Sequence, residues 1–198
     1  RLTLQGPLEN LTATVTLALA DGHLGGYPIR RAAGELQLHG RAVTLRSLDL
    51  EPKKGAFRAQ GTFNLTGETD IELSGEGIEL EALRALTGIR TPPLLGTLDF
   101  TLQLSGTRQE PVAGLSLEAR EVGTGGVQAD RVLGQVYYRE GELVLEQVLV
   151  EKSGYRARAA GRLPLGPETF QVDPSRPLSL EASTDRVDLG ILRLWFPH

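Results

Sequence analysis

The sequence predicts an all-β fold, built as two tandem units of about 100 residues, 1–92 and 93–198, that form one continuous sheet with one short helix per unit. Three observations predict it. Residues 106–165 repeat residues 6–65 at a constant offset of 100 with no gap, giving 13 identities over 60 aligned positions. Apolar side chains recur at every second position through most of the chain, the period of a half-buried strand. Turn residues, among them 24 Gly and 11 Pro, punctuate these runs without forming a low-complexity tract. A repeat of this kind builds an extended surface more readily than a single catalytic site.

Leu11, Ala13, Val15, Leu17 and Leu19 alternate with Thr12, Thr14, Thr16 and Ala18, which is a strand with one apolar face. Asp21-Gly22 reads as a turn, and Gly25-Gly26 as a turn or bulge. Leu36 and Leu38 belong to the next strand, and Gly40-Arg41 is short enough for a hairpin. Val43 and Leu45 continue the apolar face, then Leu48 and Leu50 carry it in the opposite phase. A one-residue slip flips every later side chain, so a bulge is expected near Arg46-Ser47. Pro52 to Gly55 turns the chain into the row Phe57, Ala59, Gly61, Phe63 and Leu65. After a turn at Thr66-Gly67, Ile71 and Leu73 mark a shorter strand.

The period then changes. Ile78, Leu80, Leu83 and Leu86, followed by Gly88, predict a short amphipathic helix near 79–87. Thr91-Pro92-Pro93 marks the junction of the units, and Leu98, Phe100, Leu102 and Leu104 return to strand. The second unit repeats the plan, with turns at Gly125-Gly126 and Glu140-Gly141 and the same phase slip before Val148 and Val150. A Pro-rich insertion, Gly166 to Pro177, precedes the strand of Leu178, Leu180 and Ala182. Val187, Leu189, Leu192 and Arg193 echo the first helix at an offset of 109, which predicts a second helix near 188–194.

The net charge is −4 and neither sign forms a block, so there is no electrostatic footprint for nucleic acid. No apolar run approaches the roughly 18 residues of a membrane-spanning helix. With no Cys, disulfides and thiolate metal sites are excluded. With no Met even at position 1, the chain reads as a fragment of a longer protein.

Candidates for chemistry are weak. His23, His39 and His198 share no ligand spacing and read as surface residues, so no metal site is expected. Ser74-Gly75-Glu76-Gly77 faintly suggests a phosphate loop, but Leu80 stands where a third Gly belongs, and a turn is the better reading. No Ser sits in a G-x-S-x-G frame. The expectation is a non-enzymatic chain with no catalytic residue and no cofactor. What remains is the apolar face of the sheet. It is rich in Leu, which is not a favoured strand residue, and poor in large aromatics.

The chain resembles the repeats of the TamB and AsmA-like family of bacterial envelope proteins. Those repeats read as G-x-L-x-L-x-x-G-x-L-x-L-x-x-L-x-L, then a basic-small-x-Gly strand, then a closing D-L-x-x-L helix. Here the pattern runs from Gly34-Glu-Leu36-Gln-Leu38 through Val43-Thr-Leu45 to Leu48-Asp-Leu50, and Arg58-Ala-Gln-Gly61 follows. It recurs from Gly134-Gln-Val136 to Val150, then Arg158-Ala-Ala-Gly161. Asp188-Leu189-Gly-Ile-Leu192 is the closing motif, and Glu79-Leu80-Glu-Ala-Leu83 is its counterpart with Glu for Asp.

The resemblance implies a β-taco whose apolar trough carries phospholipid or other acyl chains between two membranes. It also implies neighbouring repeats of the same chain as partners, and a BamA-type outer-membrane protein reached through a part not present here. The cell envelope or periplasm, with an inner-membrane anchor in the full-length protein, is the implied location. The groove-lining positions would be Leu17, Leu19, Leu36, Leu38, Val43, Leu45, Phe57, Phe63, Leu98, Phe100, Leu102, Leu117, Val136, Leu143, Leu145, Leu163 and Leu180. Strands of about nine residues are roughly 30 Å long, and about twelve to fourteen of them at roughly 4.8 Å spacing extend on the order of 60 Å. The alternative is a structural or adhesive module of a cell-surface protein, with a closed, dry core and protein partners.

Overall fold

A computed structural model describes residues 2–5, 12–24, 27–64, 67–87, 94–107, 109–124, 127–166, 172–173 and 175–185. Among the described residues the fold is all-β: one open, antiparallel sheet of 12 strands, each paired with its neighbours in sequence. Except between β6 and β7 and between β11 and β12, connections of a few residues leave the chain little choice but to turn back on the strand just made. The strands are β1 (Leu2–Gln5), β2 (Thr12–Leu24), β3 (Tyr27–His39), β4 (Ala42–Pro52), β5 (Ala56–Asn64) and β6 (Thr69–Glu79). After helix α1 (Leu80–Thr87) come β7 (Leu95–Gly106), β8 (Pro111–Thr124), β9 (Val127–Arg139), β10 (Glu142–Lys152), β11 (Tyr155–Pro164) and β12 (Ser179–Thr184). β1 and β12 form the two edges.

The hairpins expected at Gly40-Arg41 and Glu140-Gly141 are present as two-residue turns between β3 and β4 and between β9 and β10. Gly40 and Glu140 open them in the left-handed region, at φ 58° and 55°. The expected phase slips are bulges. Leu45 pairs with Gly61 and Leu48 with Ala59, so the register shifts between them, and it shifts again between Leu145 and Val148. The extra residue returns Leu48 and Val148 to the face already held by Leu45 and Leu145.

Two expected turns are not turns. Asp21-Gly22 lies inside β2, which runs on to Leu24. Asp21 has the positive φ of a turn residue, 53°, but the strand continues to pair with β3 on both sides of it. Ser74 to Gly77 lies inside β6, which is longer than expected. Gly77, at φ 60°, forms a bulge there, and its amide donates to Asp99 Oδ1 at 2.6 Å. Ile78 lies within the strand, which ends at Glu79, rather than leading the helix. The turns at Gly25-Gly26 and Gly125-Gly126, and the second helix near 188–194, lie outside the described residues.

The bounds of β9 and β10 are those of β3 and β4 moved by 100 residues. β6 and β7 pair from Thr69 with Gly106 to Glu79 with Thr97, so the strands before and after α1 share one sheet, and the junction expected at Thr91-Pro92-Pro93 lies outside the described residues. The main buried cluster sits where α1 lies against this seam. Leu80, Leu98 and Ala119 are buried there, packed by Leu83, Phe100, Leu117 and Val132. Ile78 is fully buried at the same end.

Candidate functional site: an uncovered apolar face

Residues opposite one another in an antiparallel sheet project from the same face, so register decides which side chains meet. One row crosses from β2 to β12 without a polar residue. It runs Leu17, Gly34, Leu48, Ala59, Leu73, Leu102, Leu115, Val136, Leu145, Gly161 and Leu180. Beside it, Leu36, Leu45, Gly61, Ile71 and Leu104 lead through Ala113 and Tyr138 to Leu143 and Leu163. On the other side, Leu19, Ala32, Leu50, Phe57, Gly75, Phe100, Leu117, Gly134 and Val148 follow. Leu38, Val43 and Phe63 form a shorter outer row.

The register therefore brings every groove-lining position expected from the sequence to one face. The same face holds Leu48, Leu73, Leu104, Leu115 and Val148, apolar strand residues not counted among those positions. The signal that could have found Leu48 and Val148 is the bulge, because a slip of one residue keeps them in the row rather than expelling them.

Small residues let the large ones close over the sheet. Gly75 stands between Phe57 and Phe100, whose ring centroids are 6.0 Å apart with planes at 63°. A Cβ on Gly75 would lie 2.3 Å from the Phe100 ring. Gly134 serves Leu117 in the same way, with its hypothetical Cβ 3.2 Å from Leu117 Cγ.

Among the described residues, no second layer of sheet covers this face. Leu17, Leu19, Phe63 and Leu180 are 50%, 43%, 43% and 52% exposed. The other expected groove positions are half-buried, as side chains on one layer must be when only their neighbours shield them. Leu98 is the exception. It is 7% exposed because Leu80 and Leu83 of α1 pack on it, so it belongs to the core and is not open to a ligand.

The opposite face carries a cross-linked network of charges, beside apolar positions such as the paired Leu133 and Leu149. Arg120 donates to Asp99 Oδ2 at 3.1 Å and to Glu118 Oε1 at 3.0 Å. Arg131 donates to the same Glu118 oxygen at 2.9 Å, and Arg156 to Glu151 at 2.8 Å. Arg131 lies 3.9 Å from Glu151, which links the chain of charges from β7 to β11. The hydrogen bond from Arg131 holds the Glu118 carboxyl below its usual range, and the Arg120 charge adds to this. A shallow hollow beside this ladder is lined by Arg58, Ser74, Ser116 and Gln135 together with apolar groups such as Ala56 and Leu133.

At the start of α1, Tyr27 donates to Glu79 Oε2 at 2.5 Å and Lys54 pairs with Glu79 Oε1 at 2.9 Å. Burial, reinforced by the Glu79 hydrogen bond and charge, pushes the Tyr27 hydroxyl up to about 12. The same bond from Tyr27, with the one from Lys54, holds Glu79 down. These contacts tie β3 and the β4–β5 turn to the helix start.

His39 Nδ1 lies 3.1 Å from the Thr12 hydroxyl, a cross-strand contact. Among the described residues, no group of His, Asp or Glu is arranged to hold a metal ion, and no helix is long and apolar enough to cross a membrane. No protein-family model, curated protein or solved structure is significantly similar to this chain.

Proposed function

We propose that this chain is a segment of a TamB- or AsmA-like envelope protein, and that its apolar face shields phospholipid acyl chains in transit between membranes. The observation that carries the reading is the unbroken apolar row from Leu17 to Leu180, half-exposed and covered by no second sheet among the described residues. A monomeric soluble protein seldom leaves a contiguous apolar surface of this extent open without a use for it.

In this reading the two 100-residue units curl into one trough, and the trough continues into neighbouring units of a longer chain. The work is physical rather than chemical. Each methylene withdrawn from water gains about 0.8 kcal/mol, so a dozen gain on the order of 10 kcal/mol. Passage along the trough requires that gain to be nearly uniform, or the lipid would stop at the best site. Repeated rows of Leu, Val and Phe supply such uniformity. The polar ladder on the other face faces water and keeps the strands in register. An envelope location and an outer-membrane assembly partner follow from the resemblance and belong to the same proposal.

The test is a charge in mid-row. Leu102 lies between Leu73 and Leu115 near the centre of the sheet. Leu102→Arg should abolish binding of a solvent-sensitive apolar dye and of a spin-labelled fatty acid, with the far-ultraviolet spectrum kept. Unchanged binding in a folded L102R would refute the assignment of this face. No dye binding by the unmodified chain would favour the closed structural module instead.

A further inference from the structure

Helix α1 does not lie across the middle of the apolar face. It follows the end of β6, packs on Leu98 of β7 and reaches β3. At that end of the strands the apolar face is closed. Ile29 and Pro52, paired across β3 and β4, are buried there, and so are Ala32 and Ile78. Tyr27 and Lys54 hold the start of the helix in place through Glu79. The other end of the same strands differs. Leu38 and Val43 are half-buried there, and Phe63 is 43% exposed. Among the described residues no helix or strand is laid over them.

We propose that the trough has a fixed polarity from β3 to β7: an acyl chain lies with its methyl end towards α1, and the phosphate head group sits at the β3–β4 turn beside Arg41. This rests on the reading of the face as lipid-carrying and adds the direction of the lipid to it. A phosphate set against the α1 end would exchange water for Ile29, Pro52 and Leu80, none of which offers a side-chain hydrogen bond, and a charge is not left in such a place. The cations of the two ends point the same way. At the α1 end Lys54 is taken by Glu79 at 2.9 Å, and Arg30 donates to the Pro52 carbonyl at 3.1 Å. Arg41, in the two-residue turn at the other end, is exposed, and a guanidinium suits the oxygens of a phosphate. Head groups would then pass along one side of the sheet only, with the helix as the wall of the other.

The two ends of β4 report the polarity directly. The chain has no cysteine, so A42C and K53C each carry a single fluorescent label, roughly 35 Å apart on opposite ends of the strand. Each labelled chain is incubated with phosphatidylcholine vesicles containing a phosphatidylcholine spin-labelled either on the choline or at the end of an acyl chain, then separated from the vesicles. The head-labelled lipid should quench A42C severalfold more than K53C, and the tail-labelled lipid should do the reverse. H39C, opposite Ala42 across the hairpin, repeats the first reading at the same end should A42C fail to fold. The opposite order, or equal quenching of both ends by each probe, would overturn the polarity while leaving lipid carriage intact. No quenching of either end by either probe would overturn the polarity and the lipid-carrying reading together.

Discussion

Phe57 on β5 and Phe100 on β7 meet edge to face across Gly75 on the strand between them, with ring centroids 6.0 Å apart. The contact joins residues from strands on either side of α1, and it exists because the intervening position has no side chain. Gly75→Ala would place a methyl 2.3 Å from the Phe100 ring. Overpacking of this kind costs about 1–3 kcal/mol. Urea unfolding should show that loss in G75A, and a double-mutant cycle of F57L and F100L should show coupling of about 0.5–1.5 kcal/mol.

Asp21 and Glu121 stand 100 residues apart, both inside strands and both left-handed, at φ 53° and 54°. A left-handed backbone costs an ordinary L-residue roughly 1–2 kcal/mol, and Asp tolerates it better than Glu. Glu121→Gly should therefore stabilise the chain by roughly 0.5–1 kcal/mol once the entropy of glycine is subtracted, and Asp21→Gly by less. Asp21→Val should destabilise. The midpoint of guanidinium unfolding orders the variants.

The charge ladder gives an acid-sensitive term. Glu118 is held below its usual range by Arg131, so its contribution to stability is present above the unfolded carboxylate value. That contribution is lost as the pH falls through the lower, folded one. Thermal midpoints measured from pH 7 down to pH 3 should fall, and Glu118→Gln should lower the value at pH 7 and flatten that fall.

Tyr27 gives an alkaline counterpart. Its hydroxyl, raised to about 12, favours the folded state fully below the unfolded value near 10 and loses that contribution as the pH climbs to about 12. In a phenolate absorbance titration of the four tyrosines, the component near 12 should vanish in Tyr27→Phe.

Much of this was written in the local pattern. Alternation fixed the strands, and the phase slip at Arg46-Ser47 marked a bulge that falls between Leu45 and Leu48. Asp21-Gly22 misled because residues that accept a positive φ suit a two-residue hairpin turn but do not by themselves make one. The backbone there takes the turn conformation while cross-strand pairing carries β2 onward. Gly77 misled in the same way, since its amide finds Asp99 on β7, a partner no local pattern reveals. The burial of Leu98 depends on where α1 comes to rest, a tertiary choice that leaves no trace in its own strand. The Glu118 ladder was equally invisible, because its members come from five strands and meet only through register.

The most direct measurement is native mass spectrometry of the purified chain with extraction and identification of bound lipid. Phospholipid or fatty acid should travel with the folded chain and be lost from L102R. A folded, lipid-free chain, with no acyl species recovered on extraction even after exposure to phospholipid vesicles, would contradict the reading of this face as a lipid conduit.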